Sequence, residues 1–258
     1  MAFSSSCLSA ESRGGLSDVS AQSSSSGVGG LNGGGGDEPE IIDWRTRIDG
    51  SMARSRKVRG GNFVQIATVD PETGSPRCRT VVLRGFLPLS PPDEDSADGA
   101  KAGSSVMKMI TDLRSAKVSE ATAAAGIGVS ENVELVWWFG KSSEQYRVRG
   151  DLRFVGGGTF PNDADPFFVR ARREQWGNLS DSAREQFFWR DPLTAYEAQI
   201  DVPPGGRDGE GGKVLPPPDN FLLMLLYPRS VDYLRLGDNF RQTDTLDDGR
   251  WTMMRVNP

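Results

Sequence analysis

The stretch between residues 62 and 86 constrains the fold more than any other part of the chain. Asn62–Asp70 carries Phe63, Val64, Ile66, Ala67 and Val69 among few polar residues and reads as a strand. Pro71-Glu72-Thr73-Gly74 then supplies a turn with a mechanism, since proline fixes φ at one corner and glycine provides positive φ at another. The return strand, Pro76–Phe86, alternates, with Arg77, Arg79, Val81 and Leu83 on one side and Cys78, Thr80, Val82 and Arg84 on the other. Cys78, in mid-strand, is expected as a small buried hydrophobe rather than a redox centre.

Around this hairpin the pattern predicts further strands at 105–111, 133–140, 144–155, 220–236 (one long strand or a strand pair) and 250–256. Helices are expected at 41–58, where Ile41, Ile42, Trp44, Ile48 and Met52 recur at helical spacing, near 113–124, and across 164–190. Six or seven strands with helices in the connections predict a mainly β, α+β fold: a β-barrel with helical additions. No internal repeat is visible. The Pro/Asp/Gly/Ser-rich stretch 87–104 and the segment 202–219, with five prolines and five glycines, read as loop insertions.

Residues 1–36 form a different regime, with eleven Ser, nine Gly and only Glu11, Arg13 and Asp18 charged. Such a composition cannot bury enough apolar surface to offset ordering entropy, so 1–40 is expected to be a disordered tail ahead of a domain at 41–258. Its Ser-rich, acid-poor character is compatible with a transit peptide, which gives a cytoplasmic or plastid location. No apolar run approaches a membrane span, so no membrane association is expected.

The chain contains no histidine. That excludes Ser-His-Asp and Cys-His hydrolases, HExxH zinc enzymes and any imidazole general base. Two cysteines, Cys7 and Cys78, cannot build a zinc cage, and no metal site is expected. Chemistry must come from Arg, Lys, Asp, Glu, Tyr or Ser, or from a cofactor that brings its own. The net charge of −5 argues against a general nucleic-acid binder. Between Trp44 and Arg84, however, nine basic residues face only three acidic ones, which points to a site for one anion or to a solvated charged helix.

Three segments carry candidate chemistry. Arg79-Thr80-Val81-Val82-Leu83-Arg84 is a strand with a guanidinium at each end, suited to holding a phosphate. In Ile110-Thr111-Asp112-Leu113-Arg114-Ser115-Ala116-Lys117 a strand runs into a helix, placing hydroxyls and a lysine where helix N–H groups favour anions. The alternative there is an ordinary N-cap by Asp112 with a solvent-facing lysine. Gln145-Tyr146-Arg147-Val148-Arg149-Gly150 puts Gln145, Arg147 and Arg149 on one face, where a heteroaromatic ligand could partner them unless the face is an exposed edge.

In order and spacing these segments, with Pro71–Gly74, a late Trp-containing strand and the final proline, resemble the pyridoxamine 5′-phosphate oxidase-like FMN-binding split-barrel superfamily. The likeness is to the plant and cyanobacterial-type branch with RTVxxRGF, TDxRSxK and LSxxxRxxFW motifs, and runs from about residue 41 to 258. The resemblance implies a six-stranded split barrel, a homodimer with FMN at its interface, and an oxidoreductase role on a small-molecule substrate. It implies that Arg79, Thr80, Val81, Val82, Leu83 and Arg84 line the flavin, that Thr111, Ser115 and Lys117 hold its phosphate, and that Gln145 meets the ring. Ser180 would cap a helix whose Arg184 reaches cofactor or substrate, with Phe187, Phe188 and Trp189 divided between packing and the site. Arg241 is the second candidate for substrate. Ala116 stands where the family usually has a second phosphate-binding arginine, and Arg114, two residues away, is the candidate replacement. The Arg-x-His segment of genuine vitamin B6 phosphate oxidases is matched only by Asp238-Asn239-Phe240-Arg241-Gln242-Thr243, and Tyr233-Leu234 replaces an upstream aromatic. A genuine pyridoxamine/pyridoxine 5′-phosphate oxidase and a non-catalytic flavin- or tetrapyrrole-binding module are the alternatives.

Overall fold

A computed structural model of the chain describes residues 41–88, 104–123, 129–198, 201–209 and 212–258. The expected tail, 1–40, and most of the 87–104 insertion lie outside these residues. The hairpin forms as its sequence requires: β1 (Phe63–Val69) and β2 (Pro76–Val82) pair antiparallel from Phe63↔Val82 to Val69↔Pro76. At the turn, Gly74 adopts φ 68°, and the Asp70 carboxylate accepts the Glu72 and Thr73 amides.

Six further strands follow: β3 (Met107–Asp112), β4 (Val129–Phe139), β5 (Glu144–Val155), β6 (Phe221–Arg235), β7 (Phe240–Asp247) and β8 (Arg250–Val256). The sheet runs β2-β1-β4-β5-β6-β7-β8, with β3 also on β6. Strand β6 organises the whole. One edge pairs with β5 along its length, whereas the other is divided, residues 221–226 taking β3 and residues 230–235 taking β7. The chain beyond β2 then closes on β3 through Arg84 N to Lys108 O, Lys108 N to Gly85 O, and the Phe86↔Met107 bridge. Six strands thus close a barrel that splits at β6, as expected of a split β-barrel, and β7 and β8 extend from the split. Where β6 bulges, with Arg229 as the extra residue opposite the Arg149–Gly150 step of β5, a Cβ on Gly150 would lie 2.1 Å from the Tyr227 carbonyl oxygen, so only glycine fits.

The barrel interior is filled by Val64, Ile66, Met107, Met109, Leu135, Trp137, Val148, Leu152, Leu222 and Met224. Helix α1 (Trp44–Ser55), capped by Asp43, adds Trp44 and Ile48 to this core. Helix α2 (Ala116–Ala123) adds Val118 and Ala121. Helix α3 (Pro166–Gly177) packs Phe167, Phe168 and Ala171 against Leu223 and Leu225, on the other side of β6. Cover on both faces explains why residues 221–226 read as a continuous apolar run rather than an alternation. The region expected to be helical across 164–190 is divided into α3, a short α4 (Asp181–Glu185) capped by Ser180, and 3₁₀ turns at Pro161–Ala164 and Gln186–Phe188. Among the described residues no helix is long and apolar enough to cross a membrane.

Three expectations need correction. Strand β2 ends at Val82 rather than Phe86, because Gly85 takes φ 95° and the chain turns across to β3. Cys78 is exposed, not buried: its side of the hairpin faces away from the barrel. The third is an omission: residues 240–247, where no strand was expected, form β7, whose inward Phe240, Gln242 and Asp244 are fully buried. The alternation of β7 was masked in the sequence because two of its three inward residues are polar.

Candidate functional site

The turn between β3 and α2 gathers the clearest constellation. Thr111 lies near the end of β3 and is buried; Ser115 immediately precedes α2, and Lys117 is its second residue. The Lys117 Nζ donates to Thr111 Oγ1 at 2.9 Å and to Ser115 Oγ at 2.7 Å, and the two hydroxyls lie 3.2 Å apart. Both acceptors are neutral. Among the described residues Lys117 makes no ion pair, although it is half-buried. Burial pushes its pKa below the ordinary lysine value; the nearby Arg79 pushes the same way, and Asp112 and Glu120 oppose them. Asp112 does not cap α2. Its carboxylate takes the Arg114 amide and guanidinium and the Asn220 amide, so Arg114, which also holds Trp189 O and Asp191, is not available to stand in for Ala116.

Across the hairpin, Arg79 faces the same helix. Its Nη2 donates to Glu120 Oε2 at 2.6 Å, and its Nη1 donates to Thr68 Oγ1 at 2.5 Å and Arg77 O at 3.0 Å. Thr68 in turn donates to Glu120 at 2.5 Å. An open cleft of about 640 Å³ runs between hairpin and α2, lined by Arg77, Arg79, Ser119, Glu120 and Leu193 among others. Of the other residues in this strand, Thr80 is exposed, Val81 and Val82 are half-buried and Leu83 enters the core. Arg84 is half-buried, its Nε has no hydrogen-bond partner among the described residues, and burial lowers its pKa.

The structure therefore brings Thr111, Ser115 and Lys117 into one group and sets Arg79 beside it through Glu120. Gln145 stands elsewhere, on β5, in a cross-strand row with Trp138, Leu234, Arg241 and Val256. The partners that Arg147 and Arg149 require are protein carboxylates: Glu134 meets both, at 3.5 and 3.6 Å, and Asp232 meets Arg147 at 3.4 Å. Arg241 joins this ladder through two hydrogen bonds to Asp232. Arg184 is buried and spends its donors on Leu179 O, Gly205 O and Asp181, pinning the 204–206 turn to α4. Phe187 and Phe188 pack on Trp176, while Trp189 stays exposed.

The basic excess of 44–84 is partly answered within the fold, by Asp49 on Arg45, Glu144 on Arg54, Asp70 on Arg77 and Glu120 on Arg79. Thr68 and Glu120 carried no motif. Their only sequence signals were that Glu120 lies three residues after Lys117, hence on one helix face, and that Thr68 stands opposite Arg77 in the hairpin.

Comparison with known proteins follows the same lines. The family described as pyridoxamine 5′-phosphate oxidase, FMN-binding domain, matches residues 41–156. A pyridoxamine 5′-phosphate oxidase-related, FMN-binding protein from Nostoc punctiforme superposes with a TM-score of 0.64 at 32% identity, covering 84% of this chain and 98% of that one. A pyridoxine/pyridoxamine 5′-phosphate oxidase 2 from Arabidopsis thaliana is 25% identical over 223 residues, 84% of this chain and 98% of its own length. The pyridoxine/pyridoxamine 5′-phosphate oxidase of Microcystis aeruginosa is 26% identical over 202 residues, covering 76% and 79%.

Proposed function

Since the chain belongs to the pyridoxamine 5′-phosphate oxidase-like family of FMN-binding split barrels, we propose that it is itself an FMN-binding flavoprotein that oxidises or reduces a small molecule. The observation that carries this reading is Lys117: a half-buried ammonium held by two neutral hydroxyls, with no carboxylate paired to it among the described residues. A buried cation without a counter-ion is costly, and a phosphate ester supplies the missing charge together with acceptors for the Thr111 and Ser115 hydroxyls. These residues fit the phosphate of FMN. When bound, the flavin ring supplies the hydride chemistry that a chain without histidine cannot.

The protein's own part is to bind, orient and shield. Lys117, Thr111 and Ser115 hold the phosphate end, Val81 and Val82 offer apolar surface, and the unsatisfied Arg84 Nε offers a donor to a ring carbonyl or nitrogen. We place Gln145 against the ring through a second copy of the chain. Support comes from the outer face of the β4–β8 sheet, where Trp138 and Met254 are exposed while the charges between them are already paired with one another. Such a face loses little by desolvation on docking. Arg184 and Arg241, occupied as described, serve structure rather than substrate.

Purified protein is expected to be yellow, or to become so with added FMN, and Lys117→Ala is expected to weaken FMN binding by about 10- to 100-fold, the loss of a charge-assisted contact. Colourless protein that takes up no FMN overturns the reading. A second reading, oxidation of pyridoxamine or pyridoxine 5′-phosphate, is favoured by the names of the two curated relatives. Hydrogen peroxide release on adding pyridoxamine 5′-phosphate separates the two. A protein that holds FMN but turns over with no reductant would be a carrier rather than an enzyme.

A further inference from the structure

Among the described residues, Glu120 is the acid at the cradle whose carboxylate is paired with Arg79. It is buried, stands on α2 three residues after Lys117, and is hydrogen-bonded by Arg79 from β2 and Thr68 from β1. With Arg114 tied to Asp112 and position 116 an alanine, Lys117 and Arg79 are the cations left to meet a phosphate here, and Arg79 is already neutralised. Lys117 senses both members of the pair. A buried carboxylate is poorly screened, so it acts on any anion that approaches these two cations.

We propose that Glu120 is an affinity-setting residue of the phosphate site: it competes with the incoming phosphate for Arg79, so that the protein holds its flavin exchangeably rather than permanently. The inference rests on the FMN reading above. If Arg79 swings to the phosphate, the Glu120 pair must open; if Arg79 bridges the two, the carboxylate repels the phosphate across it. Either course subtracts from binding.

Titration of flavin-free protein, followed by quenching of flavin fluorescence, tests this with FMN and with riboflavin, which carries the same ring and no phosphate. Glu120→Gln keeps the shape and hydrogen-bonding capacity but removes the charge. It is expected to tighten FMN by about tenfold, the scale of one charged contact, and to leave riboflavin unchanged. Unchanged or weaker FMN binding by a folded Glu120→Gln overturns the proposal and makes Glu120 a residue that merely positions Arg79. Should that variant not fold, the wild-type protein decides. One free cation predicts that FMN exceeds riboflavin by less than about a hundredfold, and a preference of a thousandfold or more overturns the competition. Wild-type protein that binds neither flavin fails the FMN reading as well, which distinguishes the two failures.

Discussion

Two polar clusters lie in this barrel, and they are built on opposite terms. Beneath α1, the Glu144 carboxylate is 1% exposed and accepts from Ser51 Oγ at 2.9 Å, Arg54 Nη2 at 2.7 Å, Tyr233 OH at 2.7 Å and Ser142. Tyr146 closes the set through Ser51 at 2.8 Å. Beside it Arg47 donates to Gln242, and Gln242 donates to Asp244 and to Ile42 O. Around Glu144 donors and acceptors answer one another, and charge meets charge. At the β3–α2 turn Lys117 meets hydroxyls and, among the described residues, no carboxylate. The Glu144 cluster is balanced as it stands, whereas the second has room for the anion proposed above. Burial and polarity are common to both; what separates a structural knot from a binding site is whether the charge is balanced.

The comparison breaks hardest at the knot. Glu144→Ala leaves the half-exposed Arg54 to water but strands the buried Tyr233 hydroxyl and takes one acceptor from Ser51, so unfolding free energy is expected to fall by about 2–4 kcal/mol, read from urea denaturation. A loss below about 1 kcal/mol would mean that α1 is held by Trp44 and Ile48 alone. The pH dependence has a definite sign. Burial would raise the Glu144 pKa, but hydrogen bonds from Ser142, Arg54, Tyr233 and Ser51 outweigh it and hold it below the ordinary 4.5. Its contribution is therefore complete above about pH 4.5 and disappears as the pH falls through the depressed folded value. The stability gap between wild type and Glu144→Ala should close in that acid window and not on the alkaline side. Tyr233, pushed up to about 12 by burial and by Glu144, stays neutral throughout.

The same operation at the cradle is expected to act in the other direction. Lys117→Met removes a half-buried cation that makes no ion pair among the described residues and keeps most of the side-chain volume. Flavin-free Lys117→Met should unfold at no lower urea concentration than the wild type, gaining up to about 1 kcal/mol, while losing FMN affinity. Destabilisation by 2 kcal/mol or more would show that the lysine is a structural member of the turn, and the contrast between the clusters would collapse.

Much of the barrel was legible because its signals are local. The Pro71–Gly74 turn, the alternation of Pro76–Val82 and the long β5 each declare themselves within a dozen residues. Strand β7 did not, since Gln242 and Asp244 point inward to serve α1 and read as surface in a linear pattern. The cradle hydroxyls and lysine were legible from their spacing around a strand–helix junction. The neighbouring Glu120–Arg79–Thr68 contact was not: it joins α2, β2 and β1, and no linear pattern reports a partner drawn from three elements. For the same reason Arg184 and Arg241 looked available, although Asp181, the carbonyls of Leu179 and Gly205, and Asp232 had already claimed them.

A third polar group calibrates the other two. On the outer face of the sheet, Asp232 accepts two hydrogen bonds from Arg241, at 2.9 and 2.6 Å, and lies 3.4 Å from Arg147, which reaches on to Glu134. The charges balance, as they do around Glu144, but the Asp232 carboxylate is 19% exposed against 1% for Glu144, and water competes for each contact. Asp232→Asn is expected to cost less than about 1 kcal/mol at low salt, and less still in high salt, as screening removes what remains. Charge balance alone would make this substitution resemble Glu144→Ala; balance weighted by burial makes it small. If its effect on a dilute, monomeric sample approached 3 kcal/mol, burial would not be what gives the Glu144 knot its strength. If the effect is small in the monomer but grows with protein concentration, the ladder lies in a face that a second copy covers, which is where Gln145 needs it to be.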